Sequence, residues 1–373
     1  MKYTRVVLIL VLLAVAIPVS ADPWIAFLSK REGNRNCRFI VQPDGSNLIN
    51  LSDSLGVRPT ESQSPDKTKI VFDPGGGSDS DIYVMDIDGS NRVKLSHNTI
   101  SNNSPRWSPD GTQVLWYGWW PPIRGEGAPR IYLNDADGAN LRDLGRGLWP
   151  HWSPDGTMIG FTLYGRQDNA FVMNADGSGR RRVINHLAHT RFVSWSPDGT
   201  KIAFYHTPPF GFQQNKIHIV NLDGTGLVEL TKDVPEINYY DPDWSRDGTK
   251  IAFTSTGGIY VVNSDGTNPV RLTKQQQDGI DGRPRWSPDG KEILFQTVRD
   301  GNGEVYIMNA DGSNPFNLSN HPAEDCCGYW YNGLVPSATS VSPQGKLIST
   351  WGQIKAVISG NSIALPIRSL DGR

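Results

Sequence analysis

The chain is short of the residues that usually announce chemistry. It has 373 residues but only three cysteines, too few for a disulfide scaffold or a four-cysteine zinc site. No Gly-x-Ser-x-Gly elbow, His-Glu-x-x-His, Cys-x-x-Cys or phosphate-binding Gly-rich loop ending in Lys occurs. An excess of positive charge is also missing: Lys+Arg 36 stands against Asp+Glu 38, a formal charge of −2. No global positive field is available for phosphates, so no nucleic-acid partner is expected. Long apolar runs are absent except for one, Val6 to Ile17, which is too short to cross a bilayer comfortably. Lys2 and Arg5 precede it, and Pro18 and Val19-Ser20-Ala21 follow, which reads as a secretory signal peptide over residues 1–21, cut near Ala21. No lipobox cysteine or twin-arginine pair accompanies it. The expectation is a soluble periplasmic or secreted protein with no membrane span after cleavage.

What the chain does have is glycine (39), proline (26), tryptophan (12) and repetition. Such a composition, with 37% hydrophobic residues, excludes a disordered chain. The turn Ser-Pro-Asp-Gly, or a close variant, places its Asp at 66, 110, 155, 198, 247 and 289, and degenerates to Ser342-Pro343-Gln344-Gly345. A second turn, Asp-Gly, recurs at Asp44, Asp88, Asp137, Asp176, Asp223, Asp265 and Asp311. The interval is roughly 40 to 50 residues, the period of four-stranded propeller blades. Short apolar, β-branched runs such as Lys250-Ile251-Ala252-Phe253 and Ile259-Tyr260-Val261-Val262 lie between the turns. Each unit reads as strands a, b, c and d. Pro second and Gly fourth suit a type I turn between a and b, and Asp-Gly suits a two-residue type I′ hairpin between c and d.

The phrase Pro-x-Trp-Ser-Pro-Asp-Gly, then Lys-Ile-Ala-Phe, then Ile-Tyr-Val-Met-Asn-Ala-Asp-Gly-Ser, then Arg-Leu-Thr resembles the propeller repeats of TolB and its relatives, over roughly residues 24 to 350. The resemblance implies an all-β propeller in the periplasm whose function is to bind other proteins of the cell envelope. TolB itself carries an α/β domain before the propeller, whereas few residues here separate the expected cut from the strand Trp24 to Leu28. TolB propellers are usually six-bladed. Here six complete units have their a strands near Ser62, Pro105, Pro150, Val193, Pro242 and Pro284, and residues 24–52 supply b, c and d of another. Its inner strand can come from Ala338 to Ser342, which closes a seven-bladed ring by pairing the two ends of the chain. Six or eight blades are the alternatives, since Lys346 to Trp351 resembles a further b strand. The propeller is expected over 22–355, with 356–373 as a tail.

Antiparallel strands put the short a–b and c–d turns on one face and the long, varied b–c and d–a connections on the other, where binding normally resides. The aromatic residues Trp119, Trp120, Phe210, Phe212, Tyr239, Tyr240, Tyr329 and Trp330 fall in those long segments. Nearer the axis are Arg106, His151, Asp243 and Arg285, each just before a strand-a aromatic, with Arg191 and Arg283 in the preceding loops. Aromatics make large contacts at little entropic cost, and mixed charge suits a polar protein or peptide rim.

In an oxidising compartment Cys37 is expected to pair with Cys326 or Cys327 and staple the ring. Asp86-Ile87-Asp88-Gly89 and Asp135-Ala136-Asp137-Gly138 resemble calcium-loop openings, but lacking further acids and a closing Glu they read as hairpin turns. No catalytic residue, cofactor or metal site is assigned. The reading is a monomeric, non-enzymatic scaffold for a protein or peptide of the cell envelope or exterior. The alternative is a carbohydrate-binding or carbohydrate-active propeller that takes an oligosaccharide, with a His-bound metal similar to that of oligogalacturonate lyases drawn from His151, His186, His189 and His206.

Overall fold

The computed structural model describes residues 23–33, 37–50, 62–72, 81–86, 90–96, 100–119, 128–163, 169–184, 190–207, 215–235, 238–274 and 281–331. They form seven four-stranded antiparallel sheets arranged as the blades of a propeller, with no helix among them. Blade 1 holds strands b to d at Trp24–Ser29, Cys37–Val41 and Ile49–Asn50. Blade 2 runs from Ser62–Gln63 to Val93–Lys94, blade 3 from Ile100–Trp107 to Arg142–Arg146, and blade 4 from Leu148–Trp152 to Arg181–Arg182. Blades 5, 6 and 7 begin at Thr190–Trp195, Tyr240–Trp244 and Gly282–Trp286.

Chain ends close the ring, as expected, but the closing strand is Asp325–Tyr331 and not Ala338 to Ser342, which lies outside the described residues with Lys346 to Trp351. Asp325–Tyr331 pairs antiparallel with Trp24–Ser29, setting Trp330 opposite Ile25 and Asp325 opposite Ser29. That pairing covers an edge that would otherwise lie bare.

Each blade is too thin to bury a face alone, so the core lies between blades. Ile25, Phe27, Phe39 and Val41 of blade 1 pack on Leu294, Val305 and Ile307 of blade 7. Val71 and Val84 of blade 2 likewise meet Val114, Trp116 and Tyr132 of blade 3.

The a–b turns are built alike. In blade 6 the Ser245 hydroxyl donates to Asp247 Oδ1 at 2.6 Å and accepts from the Lys250 amide at 2.9 Å. Gly248 closes the turn with φ +70 by donating to the Ser245 carbonyl. Hydroxyl and amide donors hold Asp247 below the usual carboxylate range, and Asp66, Asp110, Asp155, Asp198 and Asp289 follow suit. The c–d turns depart from the expected type I′, which needs positive φ at both central residues. Gly45 is at φ +81 and donates to Gln42, whereas Asp44 stays out of the left-handed region. The Asp side chain explains this: its Oδ1 accepts the Ser46 amide and hydroxyl, which favours a type I turn followed by a left-handed glycine.

Candidate functional site

Strand a carries the same irregularity in five blades. The pairing with strand b slips at Ser104, Trp149, Asp241, Arg283 and Cys327, and each has a positive φ between 49° and 61°. Four of them precede a proline, in Ser104-Pro105-Arg106-Trp107, Trp149-Pro150-His151-Trp152, Asp241-Pro242-Asp243-Trp244 and Arg283-Pro284-Arg285-Trp286. In the closing strand Gly328 replaces the proline, and a Cβ there would meet Val305 Cγ1 at 2.6 Å. A left-handed non-glycine residue costs on the order of 1–3 kcal/mol. A bulge of this kind re-aims the side chains around it. Around these bulges Arg106, Trp149, His151, Asp241, Asp243 and Arg285 come to line one space.

The result is a cavity of ≈ 600 Å³ lined by Arg106, Trp149, His151, Arg191, Ser194, Tyr205, Thr207, Asn215, Tyr240, Asp241, Pro242, Asp243 and Arg285. Trp149, Arg191 and Tyr240 sit near the starts of strands a, and Thr207 and Asn215 flank a b–c connection, so the cavity reaches the face that carries the varied connections, while Arg106, His151, Asp243 and Arg285 lie next to last in their a strands, further along the channel. Its volume is in the range of small-ligand and peptide-side-chain sites.

Charge in the cavity is mixed but ordered. His151 is half-buried and enclosed by the blades; that desolvation, with the neighbouring charges of Arg106 and Arg285, holds its pKa well below the usual value, so the ring is neutral at pH 7. Desolvation in the channel, with Arg285 nearby, also lowers Arg106. Burial raises Asp243, opposed by Arg285 and by the Trp286 amide that donates to its Oδ2 at 2.8 Å. Tyr205 accepts the Asp241 amide, and burial with the Asp241 charge raises its phenol, so it stays neutral. The Arg191 guanidinium lies 5.9 Å from the Trp149 ring centroid. Trp149 and Tyr240 present their rings, 39% and 41% exposed.

Six of the expected residues therefore line one cavity: Arg106, His151, Arg191, Tyr240, Asp243 and Arg285. Others lie elsewhere. Tyr239 belongs to the blade 6 core: it is 0% exposed, packs edge-on against Phe253 and donates its hydroxyl to the Val234 carbonyl. Trp119 is half-buried at the end of strand b of blade 3. Tyr329 and Trp330 are in the closing strand and not in a loop; Arg38 lies over the Tyr329 ring, and Trp330 donates to the Arg285 carbonyl at 3.1 Å. Arg283 is exposed and donates to Cys327 Sγ at 3.0 Å. Trp120, Phe210 and Phe212 lie outside the described residues, as do His186 and His189. Trp149 and Tyr205 were missed. Trp149 had one signal, a residue before proline inside a strand, where proline marks an edge or a bulge.

The expected staple from Cys37 is absent: all three cysteines are thiols. Cys37 pairs with Ser29 on one side of the Trp24–Ser29 strand, and Cys326 pairs with Leu28 on the other. Two strand spacings, roughly 9.5 Å, separate them. A disulfide needs Cα atoms within about 7 Å. Among the described residues no group of three or more His, Cys, Asp or Glu could hold a metal ion.

Comparison with known proteins agrees with this geometry. Residues 124–258 match the family model of the TolB beta propeller domain. A TolB homolog of Chlorobaculum tepidum is 33% identical over 120 residues, 31% of this chain and 26% of that protein. A Tol-Pal system protein TolB of Anaeromyxobacter dehalogenans is 33% identical over 121 residues, with the same shares. The chain thus spans about a quarter of the length of the curated relatives it matches. Among solved structures, an oligogalacturonate lyase in complex with manganese superposes with a TM-score of 0.62 at 15% identity, over 77% of this chain and 86% of that one, a likeness of fold alone. Repeat and seven-bladed ring together make this chain a β-propeller, and its residues 124–258 are similar to the TolB beta propeller domain.

Proposed function

We propose that the protein is an exported, non-enzymatic propeller that grips a protein or peptide of the cell envelope or exterior in the mouth of its channel. Residues 1–21 serve as the export signal in this reading, the rest works as a monomer, and a role beside TolB-type envelope proteins is consistent with the relatives. No helix among the described residues is long and apolar enough to cross a membrane.

One observation carries the reading: three guanidinium groups, two carboxylates and two exposed aromatic rings converge on a cavity held open by strained strands. Arginines recognise a carboxylate side chain or chain end, and Trp149 and Tyr240 supply an apolar wall. Selection of a random-peptide display library on the protein tests it. Selected peptides are expected to bind with micromolar Kd and to lose roughly 30-fold on Arg106→Ala with Tyr240→Ala, the cost of about 2 kcal/mol for a hot spot. Asp176→Ala, in a c–d turn of the opposite face, should leave binding unchanged. Peptides that bind both variants equally, or no selected peptide at all, would refute the reading.

A second reading keeps the same cavity but fills it with an acidic oligosaccharide, whose rings stack on Trp149 and Tyr240 while its carboxylates meet the arginines. Exposed rings beside arginines favour it. Micromolar binding of acidic but not neutral oligosaccharides on a glycan array, with no peptide selected, would establish it over the first.

A further inference from the structure

The closing strand contributes an unusual pair to the channel rim. Cys326 and Cys327 are adjacent in sequence, half-buried, and share a hydrogen bond with their sulfurs 3.0 Å apart. Cys327 occupies the bulge position that Trp149 and Asp241 occupy in blades 4 and 6, with φ +61. There the Arg283 guanidinium of the neighbouring blade donates to it at 3.0 Å.

This arrangement polarises the pair. The hydrogen bond between the two sulfurs and the charges of Arg283 and Arg285 favour a thiolate at Cys327, lowering its pKa against burial. The Cys326 thiol is pushed the other way, by the same hydrogen bond and by burial. One sulfur is thus primed to attack and the other holds a proton within reach.

We propose that Cys326 and Cys327 form a reversible dithiol–disulfide pair at the channel rim, with Cys327 the attacking sulfur and Cys326 the resolving one. The oxidant is a disulfide from solution, carried by a small molecule or by another protein. The Cys327 thiolate bonds to one sulfur of that disulfide, whose S–S bond breaks and whose other sulfur leaves as a thiolate and takes up a proton. Cys326 then loses its proton to solvent and attacks Cys327, which releases the second thiol and closes the vicinal bridge. The incoming disulfide gains two electrons and the pair loses two. Adjacent Cα atoms are about 3.8 Å apart, short of the separation most disulfides adopt, so the bridge is strained and readily reduced again. That suits a switch better than a staple. Closing the bridge also withdraws the sulfur that Arg283 holds, freeing a cation at the rim.

Alkylation of the purified protein with iodoacetamide, read by peptide mass spectrometry, tests the proposal independently of any partner. Cys327 is expected to react with a pH midpoint below that of a reference thiol of pKa about 8.5, and faster than that thiol at pH 6. Oxidised glutathione should convert the 326–327 peptide to a form lighter by two hydrogens, and dithiothreitol should restore it. Cys326→Ser should stop at a glutathione adduct on Cys327, while Cys327→Ser gives neither product. Arg283→Gln should raise the midpoint. A Cys327 midpoint near 8.5 in the wild-type protein, or an oxidised peptide that retains both hydrogens, overturns the proposal whether or not the variants fold.

Discussion

The indole Nε1 of Trp107 donates at 2.8 Å to the carbonyl of Ser62, which belongs to the inner strand one blade earlier. Trp195 reaches the carbonyl of His151 in the same way at 3.2 Å, and Trp330 that of Arg285 at 3.1 Å. The repeated tryptophan thus latches each of these inner strands to its predecessor, and in two cases the latched residue lines the cavity. Trp107→Phe keeps most of the buried ring and removes the hydrogen bond. The expected loss is about 1 kcal/mol, read as a lower urea midpoint with unchanged slope. Trp195→Phe should cost a similar amount and in addition weaken any ligand that touches His151.

A second latch holds the ring shut. Asp325, at the start of the closing strand and 0% exposed on its side chain, pairs with Arg31 at 2.8 Å. Arg31 in turn lies over the rings of Phe27 and Phe39 and donates to the Ser319 carbonyl. Asp325→Ala leaves that guanidinium buried without its carboxylate, which should cost about 3–5 kcal/mol in urea unfolding. Blade 7 uses the same device, with Arg299 on Asp281 at 2.8 Å and over Phe295 and Tyr306. Asp281→Ala should therefore cost a comparable amount without touching the seam, separating the price of a lost ion pair from that of opening the ring.

How far the sequence carried this reading follows from which residues repeat. The Ser-Pro-Asp-Gly and Asp-Gly turns place strands because their side chains close the turns locally, as Ser245 and Asp247 do. The closing strand escaped because it has no such turn after it: its partner strand comes from the other end of the chain, and Cys327-Gly328-Tyr329-Trp330 lacks the proline of the other inner strands. Ser342-Pro343-Gln344-Gly345 drew the expectation downstream instead. Arg106, His151, Asp243 and Arg285 were legible as cavity residues since each precedes a strand-a tryptophan. Tyr239 was not separable from Tyr240 by composition; as neighbours on an extended segment they point to opposite sides, one ring inward and the other out.

His218 gives the stability a defined dependence on pH. It is 6% exposed, stacked on Phe204, and burial depresses its pKa to about 4, with Glu229 partly opposing. The unfolded value is about 6.5, so between pH 6.5 and 4 the unfolded chain binds the extra proton and stability falls as pH falls. The stabilisation is complete above 6.5 and is lost toward pH 4, amounting to about 3 kcal/mol across that window. Urea unfolding of the wild type at pH 7 and pH 4.5 should show this slope, and His218→Gln should flatten it.

The channel histidine makes the opposite use of the same effect. Enclosure by the blades, together with Arg106 and Arg285, holds His151 well below the ordinary histidine value, so acidification through about pH 6.5 adds no cation to the cavity. A ligand held there should bind with the same Kd at pH 7.5 and at about pH 6.5, provided its own groups do not titrate, while added salt weakens it through the arginines. Proton-detected nitrogen spectra of the imidazole should show no inflection for His151 at the ordinary histidine value of about 6.5 in the wild type. Replacing both neighbours, Arg106→Ala with Arg285→Ala, removes the repulsive charges and admits water. The inflection should then move up toward the ordinary histidine range, and ligand affinity should become pH-dependent. If His151 titrates near 6.5 in the intact protein, the cavity is open to bulk water and its arginines are too well hydrated to select a carboxylate.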